Sequence, residues 1–140
     1  MSNPMLAPLA TLVGEWTVES PLFPGVQGRS VFEWLEDGAY LLQRAFAPDP
    51  APDATWLIGS DDSADHHTAL YHDSRGVSRV YQATMRSGTW TIWRIAPGFS
   101  QRFTATLSED GRTLSGSWER SNDGSRWEHD FDLVYRRVGG

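Results

Sequence analysis

The chain contains neither cysteine nor lysine. Without thiols it has no disulfide framework, no thiolate nucleophile and no cysteine metal ligand. Without lysine, all 12 basic residues are arginine. They are scattered, with only Arg136 and Arg137 adjacent, and the net charge is −6. A nucleic-acid binder concentrates positive charge in a stripe, so no nucleic-acid partner is expected. Long hydrophobic runs are also missing. The opening "MSNPMLAPLATLVG" has no basic leader, and its short apolar stretch is broken by Pro8. Neither a signal peptide nor a membrane span is expected, which points to the cytoplasm. No phosphate loop and no dinucleotide fingerprint occurs. No pair of carboxylates falls on an inward face, so glycosidase-type chemistry has no support.

Two strings invite chemical readings that fail on spacing. In "DDSADHH", residues 61 to 67, a calcium loop starting at Asp61 needs Gly where His66 stands and Glu where His72 stands. A zinc site fails too, because His66 and His72 are separated by roughly 20 Å along an extended strand. No metal is therefore expected. "GFSQR", residues 98 to 102, lacks the second Gly of a nucleophile elbow and runs from a turn into a strand.

What the chain does have is aromatic residues and turns. Seven tryptophans spread along its length, as suits β-structure or an aromatic-lined interior. Gly-containing turns recur at 24–25, 36–38, 74–76, 86–88, 97–98, 109–111 and 122–124. Between them the spacing predicts strands over 13–20, 27–36, 39–47, 54–60, 67–73, 77–85, 88–95, 99–108, 112–120 and 125–138. Residues 4–11 read as a short helix within an N-terminal segment, 1–12. A meander of about ten antiparallel strands resolves its edges most simply by curling shut. The expectation is one all-β domain over residues 1–140, a single up-and-down barrel. A β-sandwich is the alternative, but it needs longer crossings than these turns provide.

Alternation then assigns inward faces. Residues 99–108 give Phe99, Gln101, Phe103, Ala105 and Leu107; 112–120 give Leu114, Gly116 and Trp118. Residues 39–47 give Tyr40, Leu42, Arg44 and Phe46; 77–85 give Val77, Arg79, Tyr81, Ala83 and Met85, or else the set containing Val80. The strand "TWTIWRI" is apolar on both faces and gives no assignment. The last strand, "GSRWEHDFDLVY", gives Trp127, His129, Phe131, Leu133 and Tyr135 inside, with Glu128, Asp130 and Asp132 outside.

An interior holding Arg44, Arg79, Gln101 and His129 among aromatics resembles an apolar pocket with a few polar anchors more than a solid core. The candidate ligand-binding residues are His129, Gln101, Arg44, Trp118, Phe103, Phe131, Tyr81 and Arg79. The expected partner is a small apolar molecule, bound by a monomer or a homodimer. His129 has three readings. It is a satisfied wall residue, a polar anchor in the pocket, or an axial haem ligand. The competing class is an enzyme of the same shape, a cyclase or isomerase in which one Arg or His polarises a carbonyl or moves a proton.

The strings "LVGEWTVES", "FEWLEDGAYLLQR", "DSRGVSRVY", "APGFSQRF" and "WERSNDGSRWEHDFDLVYRR" together resemble the DUF1579-type family of small bacterial lipocalin-like proteins. That resemblance spans nearly the whole chain and implies a calycin-type barrel without implying an activity. A shorter similarity runs to the nitrobindins, ten-stranded barrels that carry haem. It rests on Gly14 to Trp16 and on His129, which stands seven residues before Arg136. It implies haem with His129 as ligand. Nitrobindin final strands carry a run of histidines, whereas this strand has one, between Glu128 and Asp130.

Overall fold

Ten strands follow one another round a closed barrel in the computed structural model, which describes residues 3–139. They are β1 (Gly14–Glu19), β2 (Gln27–Leu35), β3 (Tyr40–Phe46), β4 (Ala54–Ser60), β5 (His67–Asp73), β6 (Ser78–Arg86), β7 (Thr89–Arg94), β8 (Ser100–Leu107), β9 (Thr113–Ser121) and β10 (Glu128–Arg137). Each pairs antiparallel with the next, and β10 returns to pair with β1. The expected up-and-down barrel is the observed one. The predicted strands match in number and order, and the largest boundary difference is the start of β10.

The N-terminal helix is a 3-10 helix, Pro4–Leu12, capped by the Asn3 side chain, which accepts from the Met5 amide. Its Leu6, Leu9 and Leu12 are fully buried. They close the barrel end where β1 begins, against Trp16, Leu41, Ile58, Ala83 and Met85. The Trp16 indole donates to the Leu12 carbonyl at 2.9 Å. The other end is left open, and the loops 20–26, 47–53, 74–77, 95–99 and 122–127 surround it. No helix among the described residues is long and apolar enough to cross a membrane.

Two inward faces differ from the alternation. In β3 the inward residues are Leu41, Gln43 and Ala45, so Arg44 points outward. The double Leu41–Leu42 makes both phases equally apolar, and solvation of charge decides between them. Arg44 stays in water near Glu33 at 3.9 Å. Gln43 can be buried because its amide finds the Ser30 hydroxyl at 2.9 Å. In β10 a bulge intervenes. His129 pairs with Glu119 but Phe131 pairs with the next residue back, Trp118, leaving Asp130 as an extra residue. Phe131, Leu133 and Tyr135 face inward as expected, whereas His129 and Trp127 are turned to the outer wall. The unassigned strand β7 directs Trp90 and Ile92 into the core.

Glycine matters at two positions for different reasons. At Gly111, φ is +72° with open space around the missing Cβ, so only backbone conformation disfavours a side chain. At Gly116 a Cβ would lie 2.6 Å from Phe103 Cζ and 2.7 Å from Ala105 Cβ. Gly116→Ala is expected to destabilise by about 2–3 kcal/mol through overpacking, and Gly111→Ala by about 1 kcal/mol through left-handed strain. Urea unfolding of both variants checks the ranking; equal losses would contradict the Phe103 packing.

Candidate functional site

The barrel's open half holds a cavity of two compartments that share part of their lining. One, about 310 Å³, is lined by residues of β2–β10, Trp56, Tyr71, Tyr81, Phe103 and Trp118 among them, with Arg75, Arg79 and Gln101. The other, about 360 Å³, lies against β1, β2, β3 and β10 and under the loop 20–26, and is lined by Val18, Leu22, Phe23, Phe46 and Pro48. Ala45, Phe131, Leu133 and Tyr135 border both.

The aromatic wall is continuous. Trp56 meets Tyr71 edge-on at 4.8 Å and Tyr81 at 4.9 Å between ring centres. Tyr81 meets Trp118 at 6.2 Å, and Trp118 leads to Phe103 at 5.1 Å and Phe103 to Tyr135 at 6.4 Å. Edge and tilted contacts of this kind hold rings in place beyond their buried area. A cavity walled this way presents ring faces and edges to its interior.

Polar groups in this wall are tied to each other. Tyr81 donates its hydroxyl proton to Gln101 Oε1 at 2.5 Å, and Arg79 Nη1 donates to the same oxygen at 3.3 Å. The Arg79 guanidinium also lies 5.7 Å from the centre of the Phe99 ring. Tyr71 donates to Asp73 Oδ2 at 2.6 Å. Asp73 itself organises the turn after β5, accepting from the backbone amides of Arg75 and Val77 and from the Arg75 guanidinium. Arg75 holds the Asp73 carboxyl far below the usual carboxylate range, helped by Tyr71. Burial pushes the Tyr71 phenol up to about 12, and its bond to Asp73 adds to the rise. Burial likewise pushes Tyr135 up to about 12, opposed by a hydrogen bond from Gln43.

Six of the eight expected site residues line this cavity: Gln101, Trp118, Phe103, Phe131, Tyr81 and Arg79. Two do not. Arg44 is on the outer wall for the reason given above. His129 is also outside, its side chain 60% exposed, with Nε2 2.7 Å from Asp132 Oδ1. The bulge at Asp130 is the cause, since one extra residue reverses every face on its N-terminal side. The structure adds Gln43, Trp56, Tyr71 and Arg75 to the cavity. Trp56 and Tyr71 are inward positions of β4 and β5 by simple alternation with Ile58 and Ala69, and that signal was present in the sequence. Arg75 comes from a turn, where alternation has no say.

Haem held through His129 does not fit this arrangement. The imidazole faces away from the cavity, and none of His66, His67, His72 and His129 lines either compartment. His67 lies on β5, opposite Ser60, with its Nδ1 buried without a partner, and burial lowers its pKa. On the outer wall, Ser117 donates to Asp132 Oδ1 at 2.5 Å and His129 meets the same oxygen. The carboxylate stands between serine and histidine, so the histidine does not contact the hydroxyl and this is not a nucleophile–base pair. Among the described residues no cluster of three or more His, Asp or Glu side chains could hold a metal.

No family model and no curated protein matches the chain. Among solved structures it is similar to the crystal structure of Rv2717c from M. tuberculosis, with a TM-score of 0.68 and 14% identity. The match covers 99% of this chain and 100% of that one. At that identity the likeness establishes the barrel fold.

The two raised phenols set an alkaline limit. Each binds its proton more tightly folded than unfolded, so the stability it contributes is complete below pH 10 and is lost as pH rises towards 12. Unfolding free energy is expected to fall across that window, and Tyr135→Phe is expected to make the fall shallower. Denaturant titrations at pH 9 to 12 check this; an unchanged slope in the variant would contradict the buried phenol.

Proposed function

We propose that this protein binds a small, mostly apolar molecule inside its barrel, in the manner of the lipocalin-like proteins its sequence resembles. The observation that carries the reading is the open, aromatic-walled cavity in which Arg75, Arg79, Tyr81 and Gln101 supply a polar cluster. A barrel core built only for stability would fill this space with side chains, as happens at the plugged end around Leu6, Leu9 and Trp16.

Binding is favoured over turnover by the state of the cavity's ionisable groups. The phenols of Tyr71 and Tyr135 are pushed up to about 12 and so hold their protons at neutral pH. Asp73 is held as a carboxylate and is occupied by Arg75 and Tyr71. No histidine reaches the space. A free general base is what a proton-moving cyclase or isomerase needs, and the one carboxylate in the lining, Glu19, accepts from Gln27 at 3.0 Å and lies 3.7 Å from the Arg136 guanidinium.

The test uses the neutral fluorophore Nile red, which brightens in apolar surroundings. Wild-type protein is expected to bind it with 1:1 stoichiometry. Ala45→Phe places a ring on the wall that both compartments share and is expected to weaken binding by about tenfold or more, ~1.4 kcal/mol. Its unfolding transition should remain cooperative, since the ring enters open space. His129→Ala is expected to leave affinity within about twofold. Strong dependence on His129 with none on Ala45 would overturn the reading. Native mass spectrometry of the purified protein gives the identity of any co-purifying molecule.

A further inference from the structure

We infer that the ligand is a carboxylate with an apolar body, its head seated at Arg79 and Gln101 and its body lying across the barrel. This rests on the cavity being a binding site. It follows from which hydrogen-bonding groups the protein leaves unspent.

Gln101 Oε1 receives both the Tyr81 hydroxyl and Arg79 Nη1, which fills the two lone pairs of an amide oxygen. The NH2 of the same amide has no acceptor among the described residues. Asp73, a carboxylate beside the cavity, is consumed by Tyr71, Arg75 and two backbone amides. Arg79 has no carboxylate within ion-pair distance among the described residues; its contacts are Gln101 and the face of Phe99. The acceptors here are therefore spent and the donors are in surplus.

Charge points the same way. Gln101 is flanked across the sheet by Arg94 on β7 and Arg120 on β9. Glu128 stands opposite Arg120 on β10 and offsets part of that charge. A chain of net charge −6 thus gathers arginines round one amide at the open rim of its barrel. Guanidinium and primary amide N–H groups side by side suit a planar group with two acceptor oxygens. Across the barrel the second compartment offers Val18, Phe23, Phe46 and Leu133, a wall for the apolar part of the same molecule, and its one guanidinium, Arg29, is paired with Glu15 at 3.0 Å.

Calorimetric titration with decanoate and with decanol, at neutral pH and below the self-association limit of each, tests this. The two probes share a chain and differ in the head. Wild type is expected to bind decanoate about tenfold or more tighter than decanol. Arg79→Gln is expected to abolish that preference while leaving decanol affinity within about twofold. Arg86→Gln, an equal change in charge at the plugged end, is expected to keep the preference. Equal binding of the two probes by wild type, or a preference that survives Arg79→Gln, overturns the inference. So does failure of both alkyl probes where Nile red binds, and the cavity reading then stands. Failure of all three overturns that reading as well.

Discussion

Closure of the sheet is the constraint on which everything else depends. Ten antiparallel strands in an open meander would expose two edges of unpaired amides and carbonyls. Here β1 and β10 join over four residue pairs, Trp16 with Arg137 through Glu19 with Val134. Arg137 extends that short seam. Its guanidinium donates to the carbonyls of Gly111, Val13 and Thr11, at 3.0, 2.7 and 2.5 Å, and lies 4.2 Å from the Trp16 ring centre. One side chain thus ties the last strand, the β8–β9 turn and the segment leading out of the N-terminal helix. Arginine suits this because its donors fan out in a fixed plane and that plane can stack on an aromatic face.

Closure makes an inside, and the two ends of that inside are treated differently. The N-terminal helix inserts three leucines and removes the space at one end. Among the described residues nothing equivalent enters the other, which the loops after β1, β3, β5, β7 and β9 surround. Residues near the plug are small or tightly packed, such as Ala69, Ala83 and Ala105, and those nearer the loops are large aromatics that line a cavity. The division of the lining follows strand order. β5, β6 and β8 carry the polar groups Tyr71, Arg79, Tyr81 and Gln101, while β1, β2, β3 and β10 present a mainly apolar wall. An asymmetric interior of this kind would orient the proposed guest as well as bury it.

Much of this was legible in the sequence, for reasons that also explain where legibility ended. Turn chemistry is local, so Gly38, Gly111 and Gly124 announced their corners and all three have positive φ. Alternation on β8 and β9 placed Gln101, Phe103, Leu114 and Trp118 inward, where they stand, and on β6, where Arg79 and Val80 fall on opposite faces and left two sets open, the one with Arg79 and Tyr81 faces in. It failed on β3, where Leu41 and Leu42 offer both phases and the outcome turned on whether Arg44 or Gln43 could be satisfied inside. It failed on β10 because a bulge adds a residue without a compositional mark. "WEHDFDLVY" alternates without a break, and yet the ladder skips at Asp130. What the skip achieves is physical: His129 gains the Asp132 carboxylate on the outer wall, and Trp127 gains the Arg102 guanidinium at 4.3 Å. Arg75, contributed by a turn, had no periodicity to place it.

The central claim is that a guest occupies the aromatic cavity and that the wall carrying His129 is not involved. The seven indole N–H groups report on it directly, because the fold distributes them among distinct environments. Trp56, Trp90 and Trp118 line the cavity; Trp16 is sealed beneath the plug, and Trp127 stacks on Arg102 outside. The measurement is an indole ¹H–¹⁵N correlation spectrum recorded while Nile red is added. The account predicts that the resonances of Trp56 and Trp118 move and that those of Trp16 and Trp127 stay. Movement of Trp127 with Trp56 and Trp118 unmoved would contradict it.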